Sequence, residues 1–212
     1  IQDLEERVNP STVAILYNFP SNPTGGNVNP QQRDELVEFA RRNDLWIITD
    51  EVYDRIVYDA PHVSFIGAGY DKVIMVQSFS KTFAMTGWRI GYLLSPDQEA
   101  MEQLTKMQYY VTACSNDAMQ HAVLEALEKA PDYPESMRVE FKSRRDLICG
   151  RLNAMPGVSC HVPTGAFYVF PKIDVPGMTS EQIAMALLEG GVLCSPGTAF
   201  GSAAVSYTHL RA

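Results

Sequence analysis

The sequence predicts an α/β fold built on a largely parallel sheet, with a second, smaller domain after it. Short apolar runs alternate with helical patterns over residues 13–94. This alternation is typical of parallel strands that are joined by crossover helices. Leu45–Thr49 is a continuous apolar run, as in a strand covered on both faces. From about Pro96 the pattern is mainly helical, and a further strand–helix–strand pattern follows toward the C-terminal end.

The first elements follow in order from these patterns. Val13–Tyr17 is predicted to be a buried strand, and the turn-rich segment 18–26, with two prolines and a Gly-Gly pair, to be a loop. Asn29 is expected to cap a helix that begins at Pro30, because asparagine accepts from free helix amides and proline needs no amide partner at the first position. The apolar face of that helix consists of Leu36, Val37, Phe39 and Ala40.

The later elements are predicted in the same way. After Leu45–Thr49, the third and fourth strands are expected at Val73–Val76 and Arg89–Leu94. Three helices are expected at Asp97–Tyr110, Asn116–Lys129 and Pro134–Leu152. The second domain is expected to contain a strand at Gly165–Phe170, a helix at Thr179–Leu188 capped by its threonine, and a short strand at Val192–Cys194. We place the domain boundary near residues 130–145, which gives domains of residues 1–130 and 131–212.

The composition is that of an ordinary globular protein, with 46% hydrophobic and 20% charged residues. Seventeen basic against 25 acidic residues give a net charge of −8, which argues against a nucleic-acid partner, because such partners require a basic surface. No apolar run approaches the roughly 20 residues of a membrane span, and no signal peptide is evident. We therefore expect neither nucleic acid nor a membrane as a partner.

The cysteines and histidines indicate reduced thiols and no metal site. The cysteines lie far apart with no C-x-x-C pair, which is typical of free thiols in a cytoplasmic protein. The histidines do not have the spacing of metal ligands, so no zinc site is expected. These residues are Cys114, Cys149, Cys160 and Cys194, and His62, His121, His161 and His209.

The segment that follows the third predicted strand has side chains that could bind an aldehyde with an anionic group. Lys81 can form an imine with an aldehyde if burial or a nearby cation makes its amine nucleophilic. Ser78 and Ser80 offer hydroxyl donors, and Arg89 offers a guanidinium, which together suit a phosphate. Gly87, close to Arg89, is expected to permit close approach of the backbone. Taken alone, Lys81 could be a surface lysine and Arg89 an ordinary ion-pair partner.

Three further side chains follow predicted strands, where ligands of parallel sheets bind. Asp50 can keep a pyridine nitrogen protonated, so that the ring accepts electrons. Tyr53 and Asn22 can each donate a hydrogen bond to a phenolic oxygen on such a ring. Tyr53 could instead be a core tyrosine and Asn22 a turn residue, and Glu51, next to Asp50, is expected to be solvated. The combined set indicates a site for pyridoxal phosphate (PLP).

Four segments resemble, in this order, the motifs of class I/II aminotransferases, the fold-type I PLP enzymes similar to aspartate aminotransferase. The gaps also match, with 28 residues from Asn22 to Asp50, 31 from Asp50 to Lys81 and 8 from Lys81 to Arg89. The resemblance extends over about residues 10–201. Its segments are Ser21-Asn-Pro-Thr-Gly25, Asp50-Glu-Val-Tyr53, Ser78-Phe-Ser-Lys81 and Gly87-Trp-Arg-Ile-Gly91, with Thr164-Gly-Ala-Phe-Tyr168 and Ser195-Pro-Gly-Thr-Ala-Phe-Gly201 further on.

The resemblance implies a fold, a reaction and residue roles. The chain would form part of the PLP-binding large domain and part of an α+β C-terminal small domain of a transaminase that moves an amino group from an amino acid to a 2-oxo acid. Lys81 would hold PLP as an aldimine and shuttle a proton, and Asp50 would pair with the pyridinium. Asn22 and Tyr53 would bind the phenolic oxygen. Ser78 and Arg89 would hold the phosphate, and the full-length protein would be a cytoplasmic homodimer.

The two ends of the chain depart from the family pattern. The chain starts at Ile1 rather than Met, and the N-terminal phosphate loop and stacking aromatic of the family are absent, so we expect an internal piece of a longer protein. The family continues after its Phe-Gly motif to an arginine for the substrate carboxylate, and Arg211 does not have the spacing for that role. Residues 205–212 resemble a translated sequencing adapter and are expected to be non-native. The isolated chain is expected to be inactive and poorly soluble.

Two alternatives to a transaminase remain open at this stage. The same motifs occur in PLP-dependent β-lyases that act on cysteine conjugates. They also occur in transcription regulators that carry an aminotransferase-like domain as a PLP sensor. The amino donor and acceptor are not predicted, since a fold-level resemblance does not fix a substrate.

Overall fold

The structure, a computed structural model, describes residues 1–211 of the 212. The described chain forms two compact units. The first contains Ile1–Phe19, Val28–Arg55 and Pro61–Pro134, and the second contains Pro20–Asn27, Ile56–Ala60 and the chain from Glu135 onward. Among the described residues, no helix combines the length and the apolar character that crossing a bilayer requires.

The first unit is built on a four-stranded sheet. Its strands are β1 (Ala14–Asn18), β2 (Trp46–Asp50), β3 (Val73–Ser78) and β4 (Gly91–Leu94), in that spatial order. The first three are parallel and β4 pairs antiparallel with β3. The predicted α/β class with a mostly parallel sheet is therefore confirmed, and each strand lies within two residues of its predicted bounds.

Helix α2 (Pro30–Arg42) covers one face of this sheet. Asn29 caps it: its side chain accepts from the Gln32 amide, while the Gln32 side chain accepts from the Asn29 amide, so two otherwise free donors are satisfied. The predicted apolar face of the helix is the buried one. It packs in a core with Ile15, Leu45, Ile47, Phe65 and Val73.

The other helices of the first unit are short or peripheral. They are α1 (Gln2–Glu5), α3 (Phe79–Thr82), α4 (Gln98–Thr112) and α5 (Asp117–Lys129), with a 3₁₀ turn at Thr86–Trp88. None of the residues of α4 is buried, and Tyr110 and Val111 are among its most exposed apolar side chains. Helix α6 (Tyr133–Asn153) begins in this unit and continues in the second.

The described part of the second unit contains two small sheets and one further α-helix. Strands β5 (Val158–Ser159) and β7 (Lys172–Ile173) form one sheet, and β6 (Tyr168–Val169), β9 (Thr208–Arg211) and β8 (Ser195–Pro196) form the other. Helix α7 (Ser180–Glu189) has the predicted threonine cap, since the Thr179 hydroxyl accepts from the Gln182 amide. The second unit is thus α+β.

A buried arginine connects three segments of the second unit. The Arg145 guanidinium, on α6, lies 2.9 Å from Asp59 Oδ2, donates to the Pro163 carbonyl at 3.0 Å and lies 4.7 Å from the centroid of the Tyr58 ring. Lys142 also bonds to Asp59. These two hydrogen-bonded cations lower the pKa of Asp59 to about 2.

The C-terminal part differs from the predictions in two places. Val192–Cys194 is not a strand, and strand pairing begins only at Ser195, after a helix-ending turn with Gly191 at φ 85°. The predicted strand Gly165–Phe170 is interrupted: Gly165 forms an isolated bridge with Val57, Ala166 has a φ of 57°, and only Tyr168–Val169 forms a strand. The predicted division into domains at residue 130 and the predicted non-native origin of residues 205–212 stay predictions.

Candidate functional site

The parallel strands of the first unit bring three chain segments to one edge of the sheet. In the strand register Asn18 is opposite Asp50, and Asp50 is opposite Val76, two residues before Ser78. The carboxyl ends of β1, β2 and β3 therefore adjoin, which is where ligands of parallel sheets bind. This edge carries Asp50, Tyr53, Ser78 and Lys81.

Asp50 is the last residue of β2, and Tyr53 lies in the tight turn that follows it. The Asp50 carboxylate accepts from the Val52 amide at 3.2 Å, and the Asp54 amide donates to the Glu51 carbonyl at 2.9 Å. These bonds hold the half-buried Asp50 side chain at the strand end. Tyr53 is only 3% exposed.

Glu51 is buried, so the expectation that its side chain is solvated was wrong. Its side chain is 2% exposed, and its carboxylate lies 2.7 Å from His62 Nε2 and accepts from the Phe65 amide at 3.1 Å. The Thr49 hydroxyl lies 3.3 Å from the same carboxylate. These donors make burial of the carboxylate tolerable, because a buried charge requires hydrogen-bonding partners. A histidine eleven residues after Glu51 was the only sequence signal for this pairing.

Lys81 lies on α3, the single helical turn that follows β3 directly. Ser78 caps this turn, since its hydroxyl accepts from the Ser80 amide at 3.1 Å and donates to the Ile90 carbonyl at 3.3 Å. Lys81 Nζ lies 5.8 Å from the centroid of the Tyr53 ring, within the range of a cation–π contact. The structure thus brings Lys81 and Tyr53 together from two different strand ends.

Arg89 is held in an uncommon backbone conformation beside the serines. Its φ of 56° and ψ of 45° lie in the left-handed region, and its guanidinium donates to the Thr86 carbonyl at 3.0 Å. A non-glycine residue there costs of order 1–3 kcal/mol, and such strain is often found at functional sites. Ser78, Ser80, Arg89, Ile90 and Gly91 line a small cavity of about 180 Å³.

The close backbone approach in this motif occurs at Gly91 and not at the predicted Gly87. A Cβ on Gly91 would lie 2.5 Å from the Gln77 carbonyl oxygen, whereas a Cβ on Gly87 would meet no described atom within 4 Å. The reason is the register: Gly91 pairs with Ser78 across the antiparallel strands β3 and β4, while Gly87 lies on the surface in the 3₁₀ turn.

Asn22 lies in the second unit. It is exposed, in the loop 20–27, which is closed by hydrogen bonds from the Ser21 amide to the Gly26 carbonyl and from the Gly25 amide to the Ser21 carbonyl, both 2.8 Å. Gly25 anchors this loop, since its carbonyl accepts from the amides of Thr164 and Gly165. The other five predicted site residues belong to the first unit.

Burial changes the electrostatics of the acidic groups around the turn. Burial raises the pKa of Asp54 above its usual range, although Arg55 and His62 oppose the shift. Asp54 Oδ1 and His62 Nδ1 are both buried without a protein partner among the described residues. Within residues 1–211, no group of three or more histidine, cysteine or acidic side chains is arranged to hold a metal ion.

The donors in the first unit fit the chemical groups of PLP. The cavity beside Arg89 offers hydroxyls and a guanidinium to a phosphate. Asp50 offers a carboxylate to a ring nitrogen, and Tyr53 offers a phenolic donor. Lys81 offers an amine at the same edge of the sheet.

Comparison with known proteins identifies the family. The model of the family "Aminotransferase class I and II" matches residues 1–211. The chain is 37% identical to aromatic-amino-acid aminotransferase 2 of Thermococcus litoralis, over 99% of this chain and 55% of that protein. It is 37% identical to aspartate aminotransferase of Pyrococcus horikoshii, over 98% of this chain and 54% of that protein.

Solved structures agree with this result. The crystal structure of an aromatic aminotransferase from Pyrococcus horikoshii matches with a TM-score of 0.92 and 37% identity, covering 99% of this chain and 57% of that chain. The chain therefore spans about half the length of the relatives that it matches. By its sequence motifs, its fold and these matches, the chain belongs to the class I and II aminotransferase family.

Proposed function

We propose that the protein to which this chain belongs is a PLP-dependent aminotransferase that moves an amino group from an amino acid to a 2-oxo acid. The observation that carries the proposal is the position of Lys81, whose Nζ lies 5.8 Å from the centroid of the Tyr53 ring at adjoining ends of parallel strands. Ligands of parallel sheets bind beyond the carboxyl ends of the strands. An amine next to a phenol at that position can therefore bind a phosphorylated aldehyde. Membership of the family supports the same reaction class.

Each site residue has a proposed task. Lys81 supplies the amine that anchors the cofactor and then acts as the base that moves a proton at the substrate α-carbon. Asp50 accepts a hydrogen bond from the ring nitrogen and keeps it protonated, while Tyr53 and Asn22 donate to the phenolic oxygen. When bound, PLP supplies an electron-accepting ring that stabilises negative charge at the substrate α-carbon.

The phosphate is assigned to Ser78 and Arg89. The small cavity between these residues brings a hydroxyl and a guanidinium to one place, and a guanidinium binds phosphate oxygens with directional, charge-assisted hydrogen bonds. We further propose a cytoplasmic homodimer for the whole protein, with amino acids and 2-oxo acids as its substrates.

The named relatives indicate which donors to test first. One is named for aromatic amino acids and another for aspartate. The first assays should therefore compare aspartate with phenylalanine and tyrosine as amino donors, with 2-oxoglutarate as the acceptor. Release of pyruvate from cystathionine without any oxo acid would instead indicate a β-lyase.

The decisive experiment maps where the cofactor attaches. The complete gene product is loaded with PLP, reduced with borohydride and digested, and we expect the pyridoxyl group on the peptide that contains Lys81. In Lys81→Ala the label and the absorbance of bound PLP should be lost, and the transaminase rate should fall by at least about 100-fold, because a positioned acid–base group contributes that much or more.

Lys72→Ala is the matched control. Lys72 comes just before the first residue of β3, whereas Ser78 is the last residue of that strand. The Lys72 amine pairs with the Asp44 carboxylate on the surface at 2.5 Å. This variant should keep the label, the absorbance and the rate. A label on another lysine, or unchanged transaminase activity in Lys81→Ala, would overturn the proposal.

A further inference from the structure

We propose that Gln77 and Glu51 are positioning residues that fix the two halves of the candidate site relative to each other. The inference rests on the proposed function, since it concerns how the PLP-binding groups are held. Asp50 ends β2 and Tyr53 follows it, whereas Ser78 ends β3 and Lys81 follows it. The proposed site therefore works only if these two strand ends keep a fixed relative position.

The side chain of Gln77 spans the two strand ends. Its amide nitrogen donates to the Glu51 carbonyl at 2.9 Å, and its amide oxygen accepts from the Ser78 amide at 2.9 Å. Gln77 is 5% exposed, so water competes little for either bond. One planar amide therefore couples the turn that carries Asp50 and Tyr53 to the residue that caps the Lys81 helix. We call this contact the Gln77 bridge.

Glu51 gives the bridge a rigid attachment point. Its amide donates to the Val76 carbonyl at 3.1 Å, which continues the pairing of β2 with β3 by one residue. Its carboxylate is fixed by contacts with His62 and Phe65. Because both its main chain and its side chain are held, the Glu51 carbonyl is a fixed acceptor for Gln77.

We expect loss of the Gln77 bridge to affect PLP binding more than the stability of the fold. Without Gln77 the Glu51 carbonyl still accepts from the Asp54 amide, so it is not left unpaired. The Ser78 amide, in contrast, loses the acceptor that orients it. Ser78 both caps α3 and lines the proposed phosphate cavity. Loss of the bridge should therefore loosen the turn that carries Lys81 and leave the core intact.

The test uses Gln77→Met, which keeps side-chain length and removes both hydrogen bonds, in the complete gene product. Its matched control is Val73→Ala, a cavity at a fully buried position at the other end of the same strand. We expect Gln77→Met to lower PLP affinity by about 10- to 100-fold, as loss of supporting contacts around a bound group typically does. Val73→Ala should lower the melting temperature and leave PLP affinity within about two-fold, since it removes packing only.

Hydrogen exchange of the protein without PLP gives a second readout. In Gln77→Met, amides of residues 50–54 and 78–82 should exchange faster than in the wild type, while those of residues 36–47 should not change. Unchanged exchange in the two site segments, or PLP affinity equal to that of the wild type, would overturn the inference and leave the proposed function standing. Failure of the wild-type protein to bind PLP at Lys81 would overturn both.

Discussion

Replacing Gly91 by alanine tests the close contact between β4 and β3. A Cβ at this position would lie 2.5 Å from the Gln77 carbonyl oxygen, about 0.9 Å short of the 3.4 Å at which ordinary contact begins. The neighbouring atom belongs to the backbone of a paired strand, so it cannot rotate away as a flexible side chain would. The two strands must separate, and Ser78, which pairs with Gly91, must move with them.

The expected size of this effect follows from overpacking. Forcing an extra methyl group into a tight contact costs about 1–3 kcal/mol. The opposing gain from a less flexible unfolded chain is only about 0.4–1 kcal/mol, so destabilisation should prevail. At about 2–4 °C per kcal/mol for a chain of this size, the melting temperature should fall by up to roughly 10 °C.

Gly87→Ala provides the control within the same motif. Its Cβ would meet no described atom within 4 Å, so only the unfolded-state gain applies and stability should stay equal or rise slightly. The assay, on the complete gene product, is thermal unfolding followed by circular dichroism, together with titration of PLP. If Gly91→Ala melts within about 1 °C of the wild type, or if the two variants lose equal stability, the contact of position 91 with the Gln77 carbonyl does not limit side-chain size there.

Two further predictions concern buried and paired charges. His62→Ala should lower the free energy of unfolding by about 1–3 kcal/mol in urea titrations, because it removes a hydrogen-bond partner of the buried Glu51 carboxylate. The control is His121→Ala, which removes only a surface pair with Asp117 and should change the free energy of unfolding by less than about 0.5 kcal/mol. Asp59 has its pKa lowered from 3.8 to about 2 by hydrogen bonds from Lys142 and Arg145, so its contribution to stability is present above pH 3.8 and is lost as the pH falls toward 2. Asp59→Asn should therefore show a smaller drop in melting temperature between pH 5 and pH 2.5 than the wild type does, and an equal drop in both proteins would contradict this assignment.

Local sequence rules predicted the elements that depend on local chemistry. The cap at Asn29 and the apolar face of α2 needed only a capping residue, a proline and helical spacing. The threonine cap of α7 followed in the same way. The parallel sheet followed from the alternation of elements, and that alternation also predicted that Asp50 and Ser78 would share one edge.

Contacts between distant segments were not predictable from one sequence. Glu51 follows a strand, as solvated acids often do, and only the fold shows that His62 and the Phe65 amide enclose it. Both glycines of the Gly87–Gly91 motif look alike in sequence, and only the strand register shows which of them touches a backbone. The Gln77 bridge was missed for the same reason, because glutamine has no fixed partner at any sequence spacing.

Arg89 and Gly91 are two residues apart and tolerate substitution in opposite ways. The backbone of Arg89 has a φ of 56°, a conformation that glycine adopts most easily. A side chain is favoured at this position only by the contacts of its guanidinium. At Gly91 the backbone conformation is ordinary, and only the neighbouring carbonyl forbids a side chain. A substitution library across this motif should therefore separate into two groups. Arginine would be selected at one position by what it binds, and glycine at the other by the space it leaves free.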